Sequence, residues 1–163
     1  MRKLAFLMMG VAFLVTGLQA QVAPSPLAQG IKLLHYEKNK SALDFFAAEV
    51  KKNPTDPETI FWYGQAILAQ NYNGIPTPAS IAEAKTVYQQ ALQAKGNDAW
   101  LLIGMAHIQY LEGADVDLIR NNLELAITSS KFEKGKKMLL FYTYFVLNES
   151  ITKIIPLLNN RLN

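Results

Sequence analysis

Few side chains in this sequence could do chemistry, and they are scattered. His35 and His107 are the only histidines, and there is no cysteine. The lack of cysteine excludes disulfides, thiol nucleophiles and cysteine-ligated metal sites. The two histidines are far apart in the chain and do not have the spacing of a metal-binding pair, such as two histidines four residues apart on one helix.

The charged clusters also have ordinary explanations. Asp115 and Asp117 lie at a predicted helix start, where acids suit the helix dipole, and a calcium loop would need more ligands. A basic cluster (Lys131, Lys134, Lys136 and Lys137) is typical of a solvated turn, since a nucleic-acid surface would carry more charge and interleaved aromatics. No phosphate loop, nucleophile elbow or HExxH motif is present. We therefore expect no catalytic residue, no metal and no cofactor, and no nucleic acid as a partner.

Residues 1–20 have the layout of a secretory signal peptide. Arg2 and Lys3 are followed by an apolar run from Leu4 to Val15 and then by a short stretch that ends at Ala20. We expect cleavage near Gln21 and export to the periplasm or cell envelope. The alternative is a retained membrane anchor, but the apolar run is shorter than the roughly 20 residues that span a bilayer. No stable membrane span is therefore expected after cleavage.

Cleavage changes the charge balance. The whole chain has 16 basic and 13 acidic residues, which gives a net charge of +3. Loss of Arg2 and Lys3 leaves 14 basic residues (16 − 2) against 13 acidic ones. The remaining charge is too small for a strong attraction to nucleic acid or anionic lipid.

The hydrophobic residues after Pro26 recur at helical spacing. They fall on one face of each predicted helix at steps of three and four, in the sets Leu27, Ile31, Leu34; Leu43, Phe46, Val50; Val87, Ala91; and Ile119, Leu123, Ala126. No alternating run typical of a strand occurs up to about Ser130. The pattern predicts an all-α protein with six helices in three pairs.

Turn residues mark the ends of these helices. Asp56 with Pro57, and Thr77 with Pro78, have the order of a cap followed by a first-turn proline. Helix ends are predicted at Asn53-Pro54, at Gly96-Asn97 and at Gly113 to Asp115, where glycine allows a left-handed residue.

Three glycines stand inside predicted helices, where each costs about 1 kcal/mol relative to alanine. Gly64 lies 34 residues after Gly30, and Gly104 lies 40 residues after Gly64. Each glycine is followed by a similar series of small, apolar or aromatic residues. The series are Ala42 and Phe46 after Gly30, then Ala84, Tyr88 and Ala91 after Gly64, and Ile119, Leu123 and Ala126 after Gly104. Recurrence at such a period indicates a solenoid of repeated helix pairs.

Together these positions resemble the tetratricopeptide repeat family over about residues 24–131. The second unit matches at Ile60, Tyr63-Gly64, Ile67, Ala84, Tyr88 and Ala91, and the third at Trp100, Ile103-Gly104, His107, Ile119, Leu123 and Ala126. The first unit matches at Gly30, Leu33, Ala42, Phe46 and Pro54. The resemblance implies an α-solenoid of about three helix pairs.

The resemblance also implies roles for particular residues. Gly64 would face Ala84, and Gly30 would face Ala42, at close helix crossings. Gly64→Leu should then destabilise the fold, and Gly64→Ala should be milder. His107 stands at an apolar site of its unit, so we expect a packed, hydrogen-bonded core histidine. The segment Asn71 to Ser80 lengthens the turn of the second unit by eight residues. Loops tolerate insertions and can also carry function, and we expect a tolerated insertion here rather than a functional loop.

The family presents a concave face formed by the first helix of each pair, and this face is the candidate binding site. The resemblance assigns it Leu27, Ile31, Leu34, His35, Glu58, Phe61, Gln65, Leu68, Asp98, Leu101, Met105 and Ile108. This mostly apolar face would suit an amphipathic helix or an extended apolar segment of a protein or peptide partner. The family's carboxylate clamp is absent, because its sites hold Leu27, Ile31, Trp62, Asp98 and Leu102. The alternative is that further helices cover the face.

Residues 132–163 diverge from the repeat pattern. Met138 to Leu147 is a largely apolar and aromatic run of ten residues, which fits either a buried cap or a frame-shifted end. We expect a non-catalytic interaction or scaffold module. The alternatives are an N-terminal fragment of a longer repeat protein and an enzyme with an unrecognised site.

Overall fold

The structure is a computed structural model that describes residues 25–71 and 73–129. The predicted signal peptide, the basic cluster after Ser130 and the divergent tail lie outside these residues. The described part contains six helices and no strand, so the all-α prediction is confirmed there. The helices are α1 (Ala28–His35), α2 (Asn39–Lys52), α3 (Pro57–Leu68), α4 (Pro78–Lys95), α5 (Ala99–Leu111) and α6 (Val116–Ser129).

The helix starts follow from local hydrogen bonds. Asp56 caps α3, because its Oδ2 atom accepts the backbone N–H of Thr59 at 2.9 Å. Thr77 and Ser80 form a reciprocal capping box at α4, with N···O distances of 3.2 Å and 2.9 Å. Proline occupies the first turn of both helices, where its missing N–H costs nothing. Both predicted starts are confirmed.

The predicted helix ends are also confirmed. The second helix stops at Lys52, directly before Asn53 and Pro54. The fourth ends at Lys95 and is followed by Gly96, whose φ of 73° is a conformation that side chains disfavour. The turn between α5 and α6 contains Gly113, with φ of 70°.

Each helix packs on the next one in the chain, and α3 also packs on α5. Two hydrogen bonds show that α3 and α4 run antiparallel. Gln65 bonds to Tyr88 in the middle of the two helices, and Gln70 bonds to Glu83 where α3 has ended and α4 has begun.

The helices differ in how much of their surface is buried. In α5, every residue from Ala99 to Ala106 is buried, as is Ile108. A helix that is apolar on all sides belongs in a core, where each large side chain contributes roughly 1.5–3 kcal/mol. The long loop before α4 is the opposite case, since Ile75 is 62% exposed.

Candidate functional site

The most crowded point of the described core is the ring of Tyr88 on α4. An ideal Cβ built on Gly64 of α3 would overlap the end of this ring, and one built on Gly104 of α5 would lie 2.6 Å from its Cζ atom. Real Cβ atoms essentially never come this close to another atom. Both glycines therefore leave room for one aromatic ring that is fully buried, with 0% exposure.

The first helix pair repeats this arrangement. A Cβ on Gly30 of α1 would lie 2.5 Å from Cζ of Phe46 and would also overlap Phe45, both on α2. Close packing at the glycines is therefore confirmed. The expected partners are wrong, because the nearest atoms belong to aromatic rings and not to Ala42 or Ala84. An aromatic ring fills the space at each crossing because it buries more area than alanine can.

The hydroxyl of Tyr88 is the centre of a buried hydrogen-bond network. It donates to the backbone carbonyl oxygen of Phe61 at 2.9 Å. Gln65 Nε2 donates to the same hydroxyl oxygen at 3.0 Å. Gln65 Oε1 is 3.0 Å from Nδ1 of His107. The network links α3, α4 and α5 through side chains.

The directions of these bonds fix the protonation of His107. A backbone carbonyl can only accept, so the one hydroxyl proton of Tyr88 goes to Phe61. Gln65 must then donate its N–H to Tyr88, which turns its oxygen toward His107. The imidazole must supply a proton to that oxygen, so neutral His107 carries its proton on Nδ1.

Burial shifts the pKa of both titratable side chains in the network, Tyr88 and His107. Burial lowers the pKa of His107 to about 4, because the charged imidazolium loses its hydration. Burial raises the pKa of Tyr88, and the hydrogen bond from Gln65 opposes this rise. Both side chains are therefore neutral near pH 7. The predicted hydrogen bond of His107 is present, but its side chain is half-buried and not fully enclosed in the core.

The twelve residues of the predicted concave face occupy different environments. Six are buried in the core, namely Leu27, Phe61, Leu68, Leu101, Met105 and Ile108. His35 is exposed, and five are half-buried, namely Ile31, Leu34, Glu58, Gln65 and Asp98. The exposed part of the predicted face is therefore smaller and more polar than the full set. Its role in binding stays a prediction.

Two polar members of the predicted face have structural partners. Asp98 caps α5, since its Oδ1 atom accepts the backbone N–H of Trp100 at 2.9 Å. Gln65 belongs to the Tyr88 network. The buried apolar members of α5 (Leu101, Met105 and Ile108) pack with residues of α3 and α4 that include Ile60, Ile67 and Tyr88. They join the second helix pair to the third.

The long loop before α4 is held by asparagine side chains. Asn71 Nδ2 donates to the carbonyl oxygen of Ile75 at 3.0 Å, and Asn73 accepts the N–H of Ile75 at 3.1 Å. Asn39 at the start of α2 reaches the carbonyl oxygen of Asn71 at 3.4 Å. These bonds fix the backbone of the loop and tie it to the first helix pair.

The described residues offer no metal centre. Within residues 25–71 and 73–129, no three His, Asp or Glu side chains come together closely enough to hold an ion. Asp115 accepts the backbone N–H of Asp117 at 2.7 Å, and Asp117 pairs with Arg120. Both acids thus act locally at the start of α6. In the same residues, no helix combines the length and the apolar character needed to cross a bilayer.

Comparisons of this chain with family models, with curated proteins and with solved structures found no match.

The side-chain network is the feature that sequence reasoning missed. The resemblance places Gln65 on the candidate concave binding face and does not predict its contacts with Tyr88 and His107. A signal was present, because Tyr88 and His107 both stand at core positions of the repeat pattern. A buried phenol and a half-buried imidazole each need a hydrogen-bond partner, and Gln65 is the polar residue that follows Gly64 on α3.

Proposed function

We propose that this chain is a non-catalytic, tetratricopeptide-like α-solenoid that acts by protein–protein contact. The observation that carries the proposal is the ring of Tyr88 between Gly64 and Gly104. A stack of repeated pairs requires contacts between successive pairs, and this ring supplies one by packing on the first helices of the second and third pairs.

Two further contacts support a repeated arrangement. Gly30 packs on the rings of Phe45 and Phe46, and Gly64 packs on the ring of Tyr88, so a glycine against second-helix aromatics recurs within the first two pairs. The first helices of the second and third pairs, α3 and α5, also contact each other directly. Solenoids of this kind offer extended surfaces to partners, and catalysis is not needed to explain any side chain described above.

We propose that the partner contacts the accessible part of the predicted face around Ile31, Leu34 and His35. The partner segment would be an amphipathic helix or an extended apolar segment, since two of these three side chains are aliphatic. Export to the periplasm or cell envelope is part of the proposal. It rests on the order of basic, apolar and small residues in positions 1–20.

Site-specific photocrosslinking in the native host tests this function. A photoreactive amino acid is placed at Ile31 or His35, and matched controls carry it at Gln89 or Gln93, which are exposed on α4. The proposal expects the same discrete protein adducts from Ile31 and His35 and none from the two controls. Equal adducts at all four positions, or none at any, would contradict it.

A further inference from the structure

A groove lies between α2, α3 and α4, on residues that the Tyr88 network does not use. Its volume is about 350 Å³. Ile60 and Ala91 are its buried members, with 6% and 8% exposure, and half-buried Val50 and Val87 also line it. This size is within the range of about 300–1,000 Å³ that is usual for small-molecule sites.

The polar side chains that line the groove are Thr55, Tyr63, Gln90 and Lys95. Because α3 and α4 are antiparallel, Lys95 lies at the end formed by Pro54 and Thr55, and Tyr63 lies toward the other end beside Val87. Tyr63 is a neutral phenol, because burial and then the charge of Glu83 raise its pKa. The groove is therefore mostly apolar, with exposed Gln90 on one wall and a positive charge at one end.

Lys95 has no ion-pair partner among the described residues. The carboxylates of Asp56 and Asp98, at the starts of α3 and α5, both accept backbone N–H groups as helix caps. Helix α3 begins and helix α4 ends at this end of the groove, so their dipoles oppose each other. The ammonium group of Lys95 lies in the exposed last turn of α4 beside this apolar surface, and it makes no direct ion pair with the nearby carboxylates among the described residues.

We propose that this groove binds an unbranched alkyl carboxylate, with the chain along Ile60, Val87 and Ala91 and the carboxylate at Lys95. The volume equals that of about twelve water molecules at about 30 Å³ each, which roughly fits a chain of eight to ten carbons. The ammonium group of Lys95 favours an anionic head group, and the volume of the groove suits an alkyl chain of this length.

A peptide fits the groove less well than an alkyl chain. The walls are helices, whose backbone N–H and C=O groups are already paired within each helix. An extended peptide would therefore bury amide groups with few partners, since only side chains such as Tyr63 and Gln90 could bond to them. An alkyl chain carries no such groups.

Titration of the full chain with decanoate tests the proposal, with calorimetry for affinity and amide NMR shifts for location. Decanol and decyltrimethylammonium serve as neutral and cationic probes of equal chain length. We expect saturable 1:1 binding of decanoate, with shifts centred on Val87 and Ala91, and weaker binding of the cationic probe. Equal affinity for the anionic and cationic probes, or shifts elsewhere, would overturn the proposal.

Two pairs of variants separate charge from shape. Lys95→Glu should weaken decanoate binding by about fivefold or more and leave decanol binding unchanged, whereas Lys38→Glu, at another exposed lysine, should change neither. Ala94→Trp should block the groove for both probes, and Ala82→Trp, on the same helix outside the groove, should not.

Two results would overturn this site or this choice of ligand. Decanoate affinity that survives Ala94→Trp would show adventitious binding elsewhere and overturn the site. An apolar octapeptide with a free C-terminus that binds the same groove more tightly than decanoate would overturn the choice of ligand. All four substitutions are at exposed positions, so thermal unfolding should confirm that each variant is folded.

Discussion

The ring of Tyr88 packs directly on the backbone of Gly64. A Cβ at residue 64 would lie 2.6 Å from Cε1 of this ring and still closer to its hydroxyl end. The ring cannot move aside easily, because it is fully buried and its hydroxyl bonds to Phe61 and Gln65. The missing side chain of residue 64 is thus a packing requirement.

Gly64→Ala should therefore destabilise the protein by about 1–3 kcal/mol, and Gly64→Leu by more. The sequence alone favoured a mild effect of alanine, since alanine regains about 1 kcal/mol of helix propensity. The overlap with Tyr88 raises the expected cost of alanine, which still stays below that of leucine. Denaturant unfolding of both variants measures the effect.

A double-mutant cycle supplies the control. In a Tyr88→Leu background the ring is absent, so the cost of Gly64→Ala should fall by about 1 kcal/mol or more. An equal cost in both backgrounds would show that the ring is not the cause.

Tyr88→Phe should cost about 1–3 kcal/mol, because it leaves the buried carbonyl of Phe61 and the amide of Gln65 without their partner. The matched control is Tyr36→Phe, which removes the same hydroxyl from a side chain that is 59% exposed. The control should change the free energy of unfolding by less than about 0.5 kcal/mol. Equal effects of the two substitutions would argue against the network.

Much of the fold could be predicted from the sequence, because its signals are local. Asp56, Thr77 and Gly96 mark helix boundaries through caps and a positive φ that depend only on neighbouring residues. Periodicity then identifies the buried faces of the helices. These features do not depend on how distant helices meet.

Contacts between residues on different helices are harder to predict from the sequence. Gly64 was expected to face Ala84, yet it meets Tyr88, which is four residues further along the same face of α4. Helix spacing places both residues on that face and cannot say which one lies at the crossing. The burial of Phe61, Leu101 and Ile108 likewise depends on the packing of α3 and α5.

The lowered pKa of His107 predicts a loss of stability in acid. The folded pKa is about 4, below the usual value of 6.5, so the unfolded chain binds a proton first as the pH falls. Stability should be constant with respect to this group above about pH 6.5 and should fall between pH 6.5 and 4. The loss is at most about 3 kcal/mol, since one pKa unit corresponds to about 1.4 kcal/mol.

Unfolding free energies measured across this range, in the original chain and in His107→Gln, isolate the effect. The substitution should remove most of the pH dependence between pH 6.5 and 4. The control His35→Gln removes an exposed histidine and should leave the dependence in place. A slope that persists in His107→Gln would assign it to other groups.

Export predicts a shortened mature chain. Since Arg2 and Lys3 precede an apolar run that ends in small residues, the native protein should begin at or near Gln21. Mass spectrometry of protein from the envelope fraction of the native host measures this. Recovery of an intact chain from Met1 in the cytoplasm would contradict export.

The central claim is that Tyr88 joins two successive helix pairs by packing between Gly64 and Gly104. Nuclear Overhauser effects from the Tyr88 ring protons to the Hα atoms of both glycines test it most directly, in a sample with labelled glycine and tyrosine. We predict strong effects to both residues, with both Hα resonances shifted by the ring current. Effects to Gly64 alone would contradict the stacking of the pairs, and effects to neither would contradict the crossing itself.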